Sequence, residues 1–292
     1  MSVVVAGCKV NLGLRITGIR DNGYHELDSL FWPLPRPCDR LHISETGTSG
    51  IVVRCDTPGI DLEHNTLTRA YAALAGRVPD LPGIEVRLVK GIPTGAGLGG
   101  GSSDAAALLQ WLNKKLSDPL SEQELAAVAL AVGADTPFFL KNTPCRVRGI
   151  GEIIEPCGPD ALAGMHLVLV CPDIHASTPQ AYADYDAAVQ ASNTIPGQNC
   201  LTKPESKANG TFLSGVRIDL DMHNDLEAVV FARHPQLAEI KANLLRLGAG
   251  AVAMSGSGSS IVALFAREFH VESQAVAAML QGENRRVYAH VL

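Results

Sequence analysis

Apolar and polar residues alternate along several short stretches of the chain, and this period of two predicts β-strands. Between these stretches, apolar residues recur at helical spacing. The predicted strands are 3–6, 9–16, 41–46, 50–55, 84–90, 146–154, 166–170, 251–254, 261–266 and 286–292. The predicted helices are 65–74, 104–116, 121–132, 224–231, 235–247 and 272–281, with a further helix that begins at Thr178 and Pro179 and a polar surface loop over 192–214. Such strands, mixed with helices throughout, predict an α+β fold and not a doubly wound α/β fold.

A glycine-rich stretch follows the predicted strand 84–90. Five glycines fall between Gly95 and Gly101, then come Ser102 and Ser103, and an Ala-rich helix starts there or at Asp104. Without Cβ atoms, backbone N–H groups can converge on a small anion, and a helix start adds free N–H groups and the positive end of the helix dipole. The pattern therefore predicts a phosphate-binding loop.

Two other interpretations of this stretch fit the sequence less well. A flexible Gly/Ser linker seldom runs directly into an apolar helix. The spacing Gly95-x-Gly97-x-x-Gly100 matches the dinucleotide fingerprint, but that motif requires a second strand after the helix, and a further helix follows here. No G-x-x-x-x-G-K-[ST] run occurs, so the loop is not of the Walker type.

Polar residues with catalytic chemistry occur in three other places. Lys9 and Asn11 share one face of a predicted strand, which is either a solvated face or part of a site. Tyr24 and His25 follow the turn Asp21-Asn22-Gly23, where they either stack on and bond to a heterocycle or anchor the turn. Asp135 lies between Gly133 and Pro137 at a helix end, where it either caps local amides or points at a substrate.

Composition and charge narrow the class of protein. The 292 residues carry a formal net charge of −6, with no Lys/Arg cluster, so we expect neither nucleic acid nor an anionic membrane as partner. The seven cysteines have irregular spacing and no C-x-x-C pair, which favours reduced thiols over disulfides or zinc. The first residues show no basic and apolar leader pattern, and no apolar run approaches membrane-spanning length. We therefore expect a cytoplasmic protein.

The glycine loop, the following Ser-Ser-Asp-Ala-Ala-Ala and the preceding Pro93 together resemble the signature of the GHMP kinases. The stretches Lys9-Val-Asn-Leu-Gly-Leu, Gly18-x-Arg-x-x-Gly-Tyr-His-Glu-Leu and Gly133-Ala-Asp-x-Pro-Phe-Phe most closely resemble members of that family that phosphorylate a cytidine-diphosphate sugar alcohol on its 2-hydroxyl, in the non-mevalonate isoprenoid route. Residues 254–260 look like the family's third motif.

The resemblance implies a two-lobed fold with domains at 1–160 and 161–292 and the active site between the lobes. It implies ATP and Mg²⁺ as cofactors, a small-molecule substrate, and a monomer or homodimer. Asp135 would orient the acceptor hydroxyl, and Lys9 would be its catalytic partner. The implied substrate-binding residues are Asn11, Tyr24, His25, Thr178 and Tyr182. The implied ATP-binding residues are Asn65, Lys90, Pro93, Gly95, Gly97, Leu98, Gly99, Gly100, Gly101, Ser102 and Ser103. Metal ligands are not specified beyond Ser102 or Ser103.

Two other functions stay open at this point. The chain could be a homoserine or mevalonate type of GHMP kinase, although such substrates have no base for Tyr24 and His25 to bind. It could also be a non-catalytic nucleotide-binding protein on the same scaffold, although Lys9 and Asp135 are both present.

Overall fold

A computed structural model describes residues 1–158, 162–192, 211–213, 216–218, 222–268, 276, 278–280 and 284–292. Helices and strands are mixed along the chain, which confirms the predicted α+β class. The elements in chain order are β1 (Ser2–Ile19), β2 (His25–Thr46), β3 (Ile51–Cys55), α1 (Thr66–Ala75), β4 (Gly83–Val89), α2 (Gly100–Asn113), α3 (Glu122–Val132), α4 (Thr136–Lys141), β5 (Cys145–Gly149), β6 (Ile153–Pro156), β7 (His166–Pro172), α5 (Thr178–Ser192), β8 (Thr211–Leu213), β9 (Val216–Ile218), α6 (Glu227–Arg233), α7 (Pro235–Arg246), β10 (Ala251–Met254), β11 (Ile261–Phe265) and β12 (Arg285–Val291).

The chain divides into two compact units that are interleaved in sequence. Unit 1 comprises Met1–Lys9, Pro33–Pro93 and Gly99–Thr143, and unit 2 comprises Val10–Trp32, Thr94–Leu98 and Pro144–Leu292. This division differs from two consecutive domains, so the boundary between 160 and 161 stays a prediction.

Unit 1 packs three helices on a small mixed sheet. Strand β3 pairs in parallel with β4, which pairs antiparallel with residues 40–46 of β2. Alternate residues of these strands meet the apolar faces of α1, α2 and α3, as their periodicity predicts. The core includes Leu41, Ile43, Ile84, Val86, Leu67, Leu74, Leu108, Leu109, Leu112 and Val128.

Unit 2 contains an antiparallel sheet of order β10-β11-β7-β12. Every residue of β7 and of β11 is buried, so these strands form the apolar centre of this unit. Residues 27–31 of β2 pair with β5, which pairs with β6. Strands β10 and β11 pair antiparallel from Met254 opposite Ile261, so the Gly/Ser stretch 255–260 is the turn of a hairpin.

The structure corrects several predicted strands. Strand β1 is continuous where two strands were predicted, and 146–154 is two strands joined by a turn. Strand β2 starts at His25, far before the predicted residue 41, although it contains Pro33, Pro35 and Pro37. Pairing with β5 ends at Phe31 and pairing with β4 begins at Arg40. The prolines fall between these registers, where neither ladder needs their missing N–H.

Helix ends also differ from the sequence pattern. Residues 136–141, which lie in none of the predicted helices, form the short helix α4 with Pro137 in its first turn, where a missing N–H costs nothing. Asn65 caps α1 and Ser121 caps α3, each in a capping box, so both helices start where the sequence predicts.

Two predictions concern residues that are only partly described. Of the predicted loop 192–214, Thr211–Leu213 forms strand β8, which corrects the prediction there, and 193–210 and 214 lie outside the described residues. Of the predicted helix 272–281, residue 276 and residues 278–280 are helical, and the others lie outside the described residues. In the described part of the chain, every helix is too short or too polar to cross a membrane.

Candidate active site

Helix α2 starts within the glycine loop. It begins at Gly100, three residues before the predicted start at Ser103, because Gly99 takes the N-cap position with φ of 71°. No side chain caps this end, so the first backbone N–H groups of the helix are available to an anion. Gly95 and Gly97 also have positive φ, at 65° and 73°, a conformation that favours glycine.

The start of α2 is packed closely in unit 1. A Cβ atom on Gly100 would lie 3.0 Å from Ile92 Cγ2 and 3.3 Å from Lys90 Nζ. A Cβ atom on Gly101 would lie 3.2 Å from the side chain of Thr66, the first residue of α1. The neighbouring Asn65 caps the start of α1 with both groups of its side-chain amide. Its Oδ1 accepts the N–H groups of Leu67 and Thr68, and its Nδ2 donates to the carbonyls of Asp61 and Leu62.

Lys90 has two buried acidic partners. Its ammonium donates to Asp39 of β2 and, over 3.0 Å, to Asp104 Oδ2 of α2. Asp39 Oδ1 also accepts the backbone N–H groups of Gly91 at 2.7 Å and Ile92 at 2.9 Å. This cluster therefore ties the residues before the glycine loop to the helix after it.

The cluster also changes the titration of its members. Burial raises the pKa of the Asp104 carboxyl to about 7, because it outweighs the attraction of the Lys90 ammonium, and the nearby Asp39 adds to the rise. Burial opposes the charge on Lys90, but Asp104 and Asp39 outweigh burial and raise the pKa of Lys90 above its ordinary range. Asp104 Oδ1 is buried and has no hydrogen-bond partner among the described residues.

Lys9 and Asp135 form an ion pair in unit 1, with 3.6 Å between Nζ and Oδ2. The Lys9 side chain is 5% exposed and that of Asp135 is 33% exposed. Asp135 holds the N-cap position of α4 without capping it, so its carboxylate is not occupied by local amides. A Cβ atom on Gly99 would lie 3.2 Å from Lys9 Cγ, which places the stem of Lys9 against the start of α2.

The turn before Asp135 also lies near the start of α2. A Cβ atom on Gly133 would lie 3.8 Å from Ser102 Oγ. Ser102 is partly exposed, whereas Ser103 is 4% exposed. Unit 1 thus brings a basic residue, a partly exposed carboxylate, a hydroxyl and an uncapped helix start into one neighbourhood, which suits binding a phosphate and orienting a hydroxyl beside it.

Tyr24 and His25 follow a tight turn in unit 2. Gly23 has φ of 81°, and the turn is closed by hydrogen bonds between Arg20 N–H and Tyr24 O and between Gly23 N–H and Arg20 O, both 2.8 Å long. Tyr24 is 61% exposed. The His25 ring lies 4.6 Å from the Tyr182 ring, centre to centre, with an interplanar angle of 34°. Together these rings offer aromatic faces and a polar ring edge.

Asn11, another predicted substrate residue, is 1% exposed in unit 2. Its side-chain amide donates to Ser29 Oγ at 2.8 Å, and its backbone N–H donates to Ser255 Oγ at 3.0 Å. Ser255 Oγ donates in turn to Gly97 O at 3.0 Å. The hairpin turn 255–260 therefore holds both Asn11 and part of the glycine loop.

The remaining predicted residues have the following places. Thr178 begins α5, and its hydroxyl lies 2.7 Å from Ser257 Oγ in the same hairpin turn. Pro93 is partly buried, and the Leu98 side chain is 1% exposed, so Leu98 can offer a ligand only its backbone.

Comparison with known proteins identifies the family of this chain. The model of the GHMP kinases N-terminal domain matches residues 65–142, and the model of the GHMP kinases C-terminal domain matches residues 213–281. The first match contains Lys90, the glycine loop and Asp135, and the second contains the hairpin turn 255–260. The chain belongs to the GHMP kinase family.

Within this kinase family, the chain is similar to curated relatives that carry the name of one particular enzyme. The chain is 45% identical over 287 residues, 98% of its length and 97% of the relative's, to the 4-diphosphocytidyl-2-C-methyl-D-erythritol kinase of Nitratidesulfovibrio vulgaris strain DP4. It is also 45% identical to the protein of that name from Lawsonia intracellularis, over 90% of this chain and 88% of the relative.

Solved kinase structures agree with the fold. A crystal structure of 4-(cytidine 5'-diphospho)-2C-methyl-D-erythritol kinase superposes with a TM-score of 0.75 at 30% identity, and covers 99% of this chain and 98% of that one. Homoserine kinase from Cytophaga hutchinsonii superposes with a TM-score of 0.70 at 16% identity, over 100% and 95% of the two chains, which supports the fold alone. A kinase of this family uses ATP to phosphorylate a small molecule.

Sequence reasoning missed the acidic partners of two predicted residues. Asp39 and Asp104 hold Lys90, and Asp186 Oδ1 lies 2.7 Å from His25 Nε2. Asp104 stands inside the quoted kinase motif, so the signal was present but read as the helix start. Asp39 and Asp186 lie in stretches without a motif.

Proposed function

We propose that this GHMP kinase transfers the γ-phosphoryl group of ATP to the 2-hydroxyl of 4-diphosphocytidyl-2-C-methyl-D-erythritol, the activity that the names of its relatives describe. The observation that carries the proposal is the Lys9–Asp135 pair, 3.6 Å apart and beside the uncapped start of α2, in a chain that also offers His25 and Tyr182 to a base. Homoserine and mevalonate have no base, so these rings favour the cytidine substrate.

The glycine loop and the start of α2 are the proposed ATP phosphate site. Backbone N–H groups from Gly97 to Ser103 donate to the phosphate oxygens, and the helix dipole favours their charge. The positive φ at Gly97 and Gly99, with close packing at Gly100 and Gly101, supports this because backbone and not side chains forms the surface. Asn65 and Pro93 flank this site.

Mg²⁺ fits these residues as the partner of ATP. The described residues contain no group of three or more His, Cys, Asp or Glu residues able to hold a metal. Mg²⁺ is commonly held by substrate phosphates, waters and one or two protein oxygens, so such a group is not required. Ser102, which is more exposed than Ser103, is the proposed protein oxygen. When bound, the ion neutralises charge on the phosphates.

Asp135 is proposed to orient the acceptor hydroxyl by accepting its hydrogen bond. Phosphoryl transfer passes through a loose transition state, so holding the hydroxyl in line matters more than early proton removal. Lys9 keeps a positive charge beside that carboxylate and beside the transferred group. Both side chains belong to unit 1, and their pairing supports this division of roles.

Unit 2 is proposed to recognise the cytidine and the sugar alcohol. Tyr24 is exposed enough to stack on a base, and the His25 and Tyr182 rings lie beside each other. Asn11 and Thr178 are proposed to complete the substrate site. The Lys90 ammonium is engaged by two carboxylates, which supports a role in shaping the glycine loop near ATP.

The test is an assay of ADP release with Mg-ATP and a panel of acceptors: the cytidine-diphosphate methylerythritol compound, homoserine, mevalonate and galactose. Turnover of the first compound alone is expected. Turnover of another acceptor would remove the cytidine assignment and keep the phosphate site. ATP binding without any turnover would support the remaining alternative, a non-catalytic nucleotide-binding protein.

We further propose that the enzyme works in the cytoplasm as a monomer or homodimer, without nucleic acid or membrane. Cys38, Cys55, Cys157 and Cys171 are free thiols, which fits a reducing compartment. The net charge of −6 fits poorly with a polyanion as partner.

A further inference from the structure

The ring of His25 has a carboxylate partner, Asp186. We infer that Asp186 is a positioning residue that fixes the tautomer of His25 and thereby makes the substrate site prefer cytosine over uracil. This inference deepens the proposed function and rests on it, because it takes His25 as a contact of the base.

Helix α5 encloses the His25 ring from two sides. Tyr182 and Asp186 are four residues apart on α5, so they lie on one face of the helix. Asp186 Oδ1 is 2.7 Å from His25 Nε2, and the Tyr182 ring centre is 4.6 Å from the His25 ring centre. Tyr185 meets the ring edge-on at 6.3 Å. The His25 side chain is only 10% exposed, so its orientation is defined by these contacts.

The bond to Asp186 decides which ring nitrogen carries the proton. A carboxylate only accepts hydrogen bonds, so Nε2 must be the protonated nitrogen. In the neutral imidazole the other nitrogen, Nδ1, is then an acceptor. Aspartate in this position thus selects one of two tautomers that a histidine without such a partner would populate together.

The selected tautomer distinguishes the two pyrimidines. Cytosine presents an exocyclic amino group, a donor, where uracil presents a carbonyl oxygen, an acceptor. An Nδ1 acceptor can bind the amino group of cytosine, whereas beside the uracil carbonyl two acceptors would face each other. The opposite tautomer carries a proton on Nδ1 and would suit uracil. Loss of Asp186 should therefore relax the base preference and not only weaken binding.

If Asp186 had only a structural role, its loss would weaken both substrates alike and leave their ratio unchanged. Helix α5 supplies a matched control. Asp184 is on the same helix, but its carboxylate pairs with Arg233 and accepts from Gln180 at 2.8 Å. Asp184→Ala removes the same charge from the same helix and leaves His25 paired. Asp186→Glu keeps a carboxylate and so should keep the tautomer.

The first experiment measures kcat and KM of the full chain with the cytidine-diphosphate substrate and with its uridine counterpart. For Asp186→Ala we expect kcat/KM with the cytidine substrate to fall about tenfold, mainly through KM, as for the loss of one oriented hydrogen bond. The uridine counterpart should lose less, so the ratio of the two falls. Asp186→Glu should restore the ratio, and Asp184→Ala should leave it within twofold. An unchanged ratio in Asp186→Ala would overturn the inference.

The second experiment does not require turnover. Nitrogen NMR of the histidine rings in ¹⁵N-labelled protein, assigned with a His25→Gln variant, distinguishes a ring nitrogen that carries a proton from one that does not. Proton at Nε2 in the native chain and a mixture of tautomers in Asp186→Ala support the inference. Proton at Nδ1 in the native chain, or no change in Asp186→Ala, contradicts it. If no acceptor in the panel is turned over, the proposed function fails, and this spectrum still decides the role of Asp186.

Discussion

Lys9 and Asp135 are the pair of residues on which the proposed chemistry depends. Both belong to stretches that the sequence singles out. For each, the sequence also allowed a purely structural role: a solvated strand face for Lys9 and the capping of local amides for Asp135. The structure weakens that explanation for both, because Lys9 is 5% exposed and not on a solvated face, and Asp135 does not cap its helix. A buried ammonium requires a partner, and a carboxylate at 3.6 Å provides it while one third of its surface remains open to a substrate.

Replacing Asp135 by asparagine should reduce kcat by at least about 100-fold, because the acceptor hydroxyl loses the group that orients it. KM for ATP should stay within about threefold, since the phosphates bind backbone amides. Steady-state kinetics of ADP release measures both constants. Glu45→Gln is the control: Glu45 is half exposed, pairs with Lys115 at 3.0 Å and should leave both constants unchanged. A rise in KM for ATP equal to the fall in kcat would make Asp135 structural.

Asp104 predicts a dependence of stability on pH. Its pKa is about 7 in the folded chain against an ordinary value of 3.8, so the folded state keeps a proton that the unfolded state releases. The contribution of this carboxyl to the free energy of unfolding is therefore fully present below about pH 4 and is lost as the pH rises through about 7. Asp104→Asn cannot titrate, so its free energy of unfolding should rise relative to the native chain between pH 5 and pH 8.

Urea unfolding at the two pH values measures this difference. The control is Asp28→Asn, because the hydrogen bond from Arg146 lowers the pKa of Asp28. Because its pKa is lowered further from an already acidic value, Asp28 is ionised at both pH values, and its substitution should have the same effect at pH 5 and pH 8. If Asp104→Asn also has equal effects at both values, the carboxyl is already ionised at pH 5 and the buried cluster is more polar than its burial implies.

Functional residues that lie in a sequence motif could be predicted from the sequence. Their partners from distant parts of the chain could not. Lys9, Asp135 and His25 stand in such motifs. Asp186 is 161 residues from His25, and Asp39 is 51 residues from Lys90. Pairings across such separations are created by the fold, and a single sequence contains no periodicity that reports them.

At the scale of elements, the structure of the glycine loop depends on a backbone conformation and a close contact that only glycine allows. Gly97 has φ of 73°, and a Cβ atom there would lie 2.0 Å from Ser255 O, a backbone atom that cannot move aside easily. Gly59 has φ of 81°, but nothing lies within 4 Å of its added Cβ. The two positions share a left-handed backbone and differ in contact.

Gly97→Ala should therefore lower the free energy of unfolding by more than Gly59→Ala. We expect about 1–2 kcal/mol from the left-handed backbone at each position, and a further 1–3 kcal/mol at Gly97 from overpacking. Gly97→Ala should also raise KM for ATP, because the loop amides shift. Urea unfolding and steady-state kinetics measure the two effects. Equal losses of stability in both variants would mean that the hairpin turn 255–260 yields to the new methyl group.

The elements themselves were predicted more accurately than their ends. Apolar periodicity located α1, α3, α7, β10 and β11 within a few residues. It placed the start of α2 too late because glycine has low helix propensity, whereas tight packing at Gly100 and Gly101 outweighs that cost. It missed the first part of β2 because prolines are poor strand residues, although their missing N–H groups fall outside the ladders with β4 and β5.

At the scale of the whole molecule, unit 2 draws on early parts of the chain. Leu14 N–H donates to His223 O at 2.7 Å, Asp225 N–H donates to Leu14 O at 3.0 Å, and Ile16 N–H donates to Asp225 Oδ2 at 2.6 Å. Leu14 and Ile16 are 3% and 1% exposed within the core of this unit. A boundary between 160 and 161 would cut these contacts, although it respects the order of the two family matches.

A fragment of residues 161–292 should therefore not fold by itself. Burying Leu14 and Ile16 contributes about 3–6 kcal/mol in total at about 1.5–3 kcal/mol for each side chain, and a whole domain has a net stability of only about 5–15 kcal/mol. The fragment also lacks residues 94–98, where Ala96 O accepts from Ser260 N–H at 3.2 Å. Near-ultraviolet circular dichroism and urea unfolding, with the full chain as control, test this. A cooperative transition in the fragment would show that unit 2 does not need its early segments, and would support two consecutive domains.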